Sequence, residues 1–313
     1  MAEYEIAGKR VWIAGHTGMV GSALVRRLTS EDCTLLTAGR AELDLTRQAD
    51  VENWVEANKP DLVLLAAAKV GGIIANRDFP ADFSYDNQVI QTNIMHAAFK
   101  AGAEKLVFLG SACMYPRDAK QPLVEDQLMT GPLEPTNEAY GTAKLAGMQL
   151  CQSFRRQHGA DFITVLPTNS YGPNDNYDPV TSHVPAALMV KCHEAKESGA
   201  PHIEVWGSGK PARDFLHVDD MVDAIISVTR HYSDEAPINI GSGTETSISE
   251  LAEAIAGAVG FGGDLKFDAS KPDGALRKIL DSKKLTALGW KPRYSLQSGM
   301  KHAYDWYREK KGV

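Results

Sequence analysis

Residues 10–21 read RVWIAGHTGMVG, and this stretch decides the fold. A short apolar run enters a turn with glycine at positions 15, 18 and 21, and a helical pattern begins at once. Gly15 lets the chain turn, Gly18 lets backbone approach a pyrophosphate, and Gly21 lets the helix pack on the strand. Backbone N–H groups around Thr17, Gly18, Met19 and Val20, at the start of that helix, offer the positive end that a phosphate needs.

Outward from this turn, short apolar runs alternate with helical patterns. Residues 34–37, 62–67, 106–109 and 162–166 read as strands, and 20–28, 51–58, 83–100 and 139–158 read as helices. The strands are continuously apolar, which means burial on both faces, as in a parallel sheet covered by helices. The fold class is therefore α/β, a doubly wound parallel (Rossmann) sheet. After residue 166 the texture changes: 167–179 is rich in Pro, Asn, Gly and Tyr and reads as a loop. Helical patterns return at 184–196, 219–230, 249–259 and 296–308, with short strands near 203–206 and 238–240. This divides the chain into a dinucleotide domain, 1–169 with 214–240, and a smaller α/β substrate lobe, 170–213 with 241–313.

Bulk properties exclude several alternatives. The 313 residues are 43% hydrophobic and 23% charged, with net charge −7 and no Lys/Arg-rich run, so nothing recommends nucleic acid or an anionic membrane as partner. The N-terminus lacks a signal-peptide layout, and no apolar run nears the ~20 residues that cross a bilayer. A cytoplasmic location is expected. Cys33, Cys113, Cys151 and Cys192 are widely spaced, without a CxxC pair, so neither a disulfide frame nor a metal site is indicated.

The end of the second strand discriminates between dinucleotides, because a carboxylate there binds a ribose 2′-hydroxyl whereas arginine accommodates a 2′-phosphate. The chain reads Thr37-Ala38-Gly39-Arg40, and Arg40 points to NADP. Asp44 and Leu45 are placed to hydrogen-bond and pack the adenine. Tyr140 and Lys144 lie one helical turn apart. A free tyrosine titrates near ~10, and an adjacent ammonium is expected to lower it into a range useful for proton transfer. Ser111 falls just beyond the fourth strand, at the carboxyl edge where such sheets bind ligands, and can donate to a substrate carbonyl.

These residues resemble the GDP-L-fucose synthase family of extended short-chain dehydrogenases, whose glycine spacing is GxxGxxG. The matching segments are GHTGMVGS (15–22), LAAAKVGGI (65–73), PADF (80–83), FLGSACMYP (108–116), LEPTNEAYGTAK (133–144), PTNSYGPNDN (167–176), VWGSGKPARDFLHVDDM (205–221) and FDASKPDG (267–274). The resemblance implies inversion of a GDP-4-keto-6-deoxy sugar at C3 and C5, then reduction at C4 with NADPH. It implies Cys113 and His183 as base and acid of the epimerisations, and Tyr140, Lys144 and Ser111 as the reducing group. A thiolate suits the first role and an imidazole the second. In an extended segment, Ser111 and Cys113 would face one pocket. The resemblance adds Ala67, Pro167, Asn169 and His183 to the cofactor site, and Ser111, Asn169, Lys191, Trp206, Arg213 and Lys278 to the site for the GDP-sugar. It also implies a homodimer built on the helices near 83–100 and 139–158.

Three positions depart from the family pattern. Thr17 stands where the family has arginine, which shifts recognition of a 2′-phosphate onto Arg40. Ala112 replaces a serine between Ser111 and Cys113. Lys191 replaces an arginine, exchanging a bidentate fork for a point charge. Rival readings are a sister enzyme for another GDP-4-keto sugar, such as a 3-deoxy (colitose-type) one, an NAD-recycling 4-epimerase, and a non-catalytic relative, which the Tyr140–Lys144 pair disfavours.

Overall fold

The computed structural model describes residues 3–178, 181–271 and 273–312. In chain order, the first half comprises β1 (Arg10–Ala14), α1 (Met19–Leu28), β2 (Thr34–Leu36), α2 (Gln48–Asn58), β3 (Leu62–Leu65), α3 (Ile73–Asp78), α4 (Pro80–Lys100), β4 (Lys105–Leu109), α5 (Glu138–His158) and β5 (Asp161–Pro167). The second half comprises β6 (Asn169–Tyr171), α6 (Val184–Ser198), β7 (His202–Trp206), β8 (Ala212–Arg213), β9 (Phe215–His217), α7 (Val218–His231) and β10 (Ile238–Ile240), then β11 (Thr246–Ser247), α8 (Ile248–Val259), β12 (Asp264–Asp268), β13 (Arg277–Lys278), α9 (Lys283–Ala287) and α10 (Leu296–Lys311).

The expected sheet forms, with six parallel strands in the order β10-β5-β4-β3-β1-β2. Its strands feed two cores by simple alternation. Val11, Ile13, Leu62, Leu64, Val107, Leu109, Ile163 and Val165 point to the face covered by α1 and α7. Trp12, Ala14, Val63, Leu65, Leu106 and Phe108 point to the face covered by α2, α4 and α5. Each fully buried Leu or Ile contributes roughly 1.5–3 kcal/mol of transfer free energy, so both faces must be covered. The chain winds from β1 outward to β2 and then returns to β3 on β1's other side. The carboxyl ends of β1 and β3 therefore flank the switch point, where open α/β sheets bind ligands.

A third core unites α6, α8 and α10 with β7 and β9, around Leu188, Met189, Leu251, Ile255, Met300 and Tyr304. These cores do not respect the expected boundary everywhere. Leu285 and Trp290, assigned by sequence to the smaller lobe, pack into the sheet core beneath α1 and α7, whereas Phe215 packs into the core of the smaller lobe. The stretch expected to be loop, 167–179, contains β6, which pairs in parallel with β9 and so ties the lobes together. Its three residues are too short to show a period. Residue 179, the last of that stretch, lies outside the described residues.

Candidate active site

The glycine turn shows which of its glycines serve packing and which serves something else. Gly15 sits at φ 91°, and a Cβ there would lie 2.7 Å from the Ala67 backbone, at the end of β3. A Cβ on Gly21 would collide with the Gly15 carbonyl. Gly18 is different, since a Cβ would meet only the Gly15 oxygen, at an ordinary 3.6 Å. Nothing among the described residues demands glycine at 18. It caps α1 without a side-chain hydrogen bond, so the first N–H groups of the helix, from Met19 onward, are left for an external acceptor. A pyrophosphate fits this cradle.

Arg40 is exposed in the turn after β2 and makes no hydrogen bond or ion pair among the described residues. Asp44 is partly committed: its Oδ1 accepts from the Thr46 N–H (3.0 Å) and hydroxyl (2.7 Å), which hold its carboxyl below the usual range. Leu45 is half-buried, and its carbonyl accepts from Asn93 Nδ2. Pro167 ends β5, at the same carboxyl edge.

At the end of β4 the chain brings four groups together. Lys144 is 2% exposed, and its Nζ donates to the Leu109 carbonyl at 2.8 Å. It lies over the Phe108 ring (4.7 Å) and the Tyr140 ring (5.9 Å). Burial brings its pKa down to about 7. Ser111 Oγ accepts the Cys113 N–H at 3.1 Å and lies near enough to Tyr140 to bear on its titration. Cys113 Sγ accepts from Asn137 Nδ2 at 3.2 Å.

Two expectations change here. Residues 112–114 form a 3-10 turn capped by Ser111 rather than an extended segment, so Cys113 is brought beside Tyr140 by helical geometry and not by strand alternation. The Tyr140 phenol is also raised above its ordinary value, not lowered: burial leads, the Cys113 charge adds to it, and the Ser111 hydroxyl opposes. A half-neutral Lys144 does not offset that. The phenol is therefore kept protonated, the state a proton donor requires.

His183 is the N-cap of α6 and makes no side-chain capping bond. Its ring is open to solvent yet sits among enough protein to lower its pKa. It forms no hydrogen bond with Cys113 or Tyr140 among the described residues, but its surroundings border theirs. Gly72 approaches the carbonyls of Thr181 and Ser182, and α3, which starts one residue later, packs on the 135–137 turn before Tyr140.

In the smaller lobe, Arg213 is half-buried, with Nη1 donating to the carbonyls of Ala212 (2.8 Å) and Ala275 (2.6 Å), and burial lowers its pKa. Lys278 pairs with it across β8 and β13. Trp206 is 60% exposed rather than core, with the ammonium groups of Lys191 and Lys271 over its ring at 5.4 and 5.6 Å. Lys191 also donates to the Glu204 carbonyl. Asn169 is exposed and donates to the Asp214 carbonyl at 3.1 Å.

Sequence reasoning missed three residues. Asp214 is buried, accepts from the Ser242 N–H and hydroxyl, and has its pKa raised to about 6 by burial. Asn174, at φ 67°, donates to the Thr17 carbonyl and Ser22 Oγ and so braces the glycine turn. Asn137 sits in PTNEAY, three residues before Tyr140; that proximity was the available signal. One cluster of metal-capable groups occurs among the described residues, His217, Asp219 and His302. Its atoms satisfy one another: His217 Nδ1 accepts the Asp219 N–H, His302 Nδ1 meets His217 Nε2 at 3.1 Å, and Asp219 pairs with Arg26.

Fold and site together define a dinucleotide-dependent oxidoreductase of the short-chain dehydrogenase class. The chain is 52% identical to GDP-L-fucose synthase of Sinorhizobium fredii (strain NBRC 101917 / NGR234), over 97% of both chains. It superposes with TM-score 0.90 on a GDP-6-OMe-4-keto-L-xylo-heptose reductase from C. jejuni, 36% identical, covering 99% of this chain and 100% of that one. It superposes with TM-score 0.91 on a GDP-L-fucose synthetase from Naegleria fowleri bound to NADP, 27% identical, covering 100% and 98%. The chain belongs to the NAD dependent epimerase/dehydratase family, whose pattern matches residues 11–241, and within it to the GDP-L-fucose synthases. It is an oxidoreductase with epimerase activity that uses a nicotinamide dinucleotide.

Proposed function

We propose that this enzyme inverts GDP-4-keto-6-deoxy-D-mannose at C3 and C5 and then reduces C4 with NADPH, giving GDP-L-fucose. The observation that carries the reading is that the turn after β4 holds Cys113, contacted by Asn137 Nδ2 at 3.2 Å, against the start of the helix that carries Tyr140 and Lys144, so a carbon base and a proton donor would address one ketone. C–H bonds beside a ketone are acidified because the charge passes to oxygen as an enolate. Cys113 removes the proton, Ser111 and Tyr140 donate hydrogen bonds to O4, and His183 returns a proton on the opposite face. Gly15, Gly18 and Gly21, with Ala67 beside them, would hold a reduced dinucleotide, which when bound would supply a hydride for C4. Tyr140 protonates O4, and Lys144 stabilises the resulting phenolate.

Arg40, exposed and without a hydrogen bond or ion pair among the described residues, supports NADP as the dinucleotide, with Thr17, Met19, Val20, Asp44, Leu45, Pro167 and Asn169 around the same site. Arg213, Lys278 and Lys191 supply the charge that a GDP diphosphate needs, and Trp206 an aromatic face for the ligand. None of the helices in the described residues is long and apolar enough to cross a membrane, in keeping with work on soluble nucleotides in the cytoplasm. The α4–α5 pair, packed side by side on one sheet face, is the surface on which a homodimer would form.

The test is product analysis in D2O with GDP-4-keto-6-deoxy-mannose and NADPH. GDP-L-fucose carrying deuterium at C3 and C5 is expected, and Cys113→Ser should abolish that uptake while leaving dinucleotide binding intact. Reduction without deuterium would make this a simple 4-reductase, a clear preference for the 3-deoxy sugar would favour the sister activity, and turnover without NADPH consumption would favour a 4-epimerase.

A further inference from the structure

Asn137 occupies the N-cap of α5, where an asparagine side chain ordinarily accepts a hydrogen bond from the second or third N–H of its own helix. Here it makes no such bond. The side chain turns away and donates from Nδ2 to Cys113 Sγ at 3.2 Å. Its Oδ1 is buried without a hydrogen-bond partner among the described residues. A forgone cap and a buried orphan acceptor on one side chain are uncommon, and both follow if the amide is aimed at the sulfur. The backbone enforces this approach: a Cβ on Gly141 would lie 2.8 Å from the Cys113 carbonyl, so the start of α5 presses directly on the turn that carries the thiol.

We propose that Asn137 is the positioning residue that holds Cys113 as a thiolate and aims it into the site. This rests on Cys113 being the epimerisation base. A hydrogen bond donated to the charged form favours that form, and an amide fixed on α5 supplies it before any sugar arrives. The Ser111 hydroxyl accepts the Cys113 N–H from the other side, so backbone and sulfur are gripped by different elements. The titratable neighbour that senses the thiolate is Tyr140, on the same helix as the amide. The charged sulfur adds to the burial that keeps the Tyr140 phenol protonated until the sulfur itself takes a proton from carbon, and burial holds the phenol thereafter.

Alkylation of Cys113 by iodoacetamide across pH, located by mass spectrometry, reads the thiol in the intact enzyme without any sugar. Asn137→Ala is expected to move the alkylation midpoint up by about one pH unit. Asn137→Asp, nearly isosteric but charged, should move it further, and Asn137→Gln, which keeps the amide, should return it toward the starting value. The pH midpoint of deuterium exchange at C3 and C5 should move in step, with KM for the sugar changed by less than about twofold. An unmoved midpoint in both Asn137→Ala and Asn137→Asp overturns the proposal, and so does a downward move, which would mean that the carbonyl oxygen faces the sulfur. If the midpoint moves but Cys113→Ser still exchanges, the base assignment fails while the grip of Asn137 on the thiol stands.

Discussion

Lys144 offers a stability measurement that reports on the site without substrate. Its ammonium is 2% exposed and holds one carbonyl, and burial takes its pKa from 10.5 to about 7. At ~1.36 kcal/mol per pH unit this corresponds to about 5 kcal/mol of destabilisation, as an upper bound. The sign follows from the two states. Below pH 7 the lysine is charged both folded and unfolded, and the fold bears the full desolvation penalty. Between 7 and 10.5 the folded lysine is neutral while the unfolded one stays charged, so the penalty fades as pH rises. Lys144→Met fills similar space without the charge. It leaves the Leu109 carbonyl without its donor, which costs ~1–3 kcal/mol at every pH and cancels from the pH dependence. Denaturant unfolding of both proteins should show the wild type gaining about 3 kcal/mol on Lys144→Met between pH 7 and 9.5, with reduction abolished in the variant throughout. A stability difference that is flat over that range would refute the argument that Lys144 is desolvated by the fold.

Three further perturbations separate the parts of the site. Gly18→Ala should leave denaturation within about 0.5 kcal/mol of wild type yet weaken dinucleotide binding at least tenfold by titration calorimetry, whereas Gly21→Ala, whose Cβ would strike the Gly15 carbonyl, should lower stability by roughly 1–3 kcal/mol as well. Tyr140→Phe should stop NADPH oxidation while C3 and C5 still exchange with D2O, and unchanged turnover would remove Tyr140 as the proton donor. Trp206→Ala should raise KM for the GDP-sugar with dinucleotide affinity and melting temperature unchanged, because the ring is 60% exposed; a large loss of stability would instead make Trp206 a packing residue.

The contrast between Gly18 and Trp206 on one side and Asn137, Asn174 and Asp214 on the other shows what was legible in the sequence. The glycine turn is read from three residues within seven, and Tyr140 and Lys144 from one helical turn, because spacing along the chain fixes spacing in a helix. Asn137 reaches Cys113 across 24 residues, Asn174 reaches Thr17 across 157, and Asp214 serves Asn169 across 45. No local pattern marks an asparagine that declines to cap its helix. The 3-10 turn at 112–114 hid for a related reason: its backbone depends on a Ser111 cap and on the closeness of α5.

By itself the sequence determined the parallel sheet and the glycine turn after β1, since each is written in short-range periodicity or contiguous motif, whereas Cys113 and His183 entered only through the family resemblance. Tertiary structure alone decided the protonation states and the direction of the reacting groups. Burial raised the Tyr140 phenol, and it drew Lys144 down to about 7. Those outcomes depend on how much protein surrounds a charge and which distant dipole faces it. Both quantities exist only once the strands have stacked and α5 has closed over the end of β4.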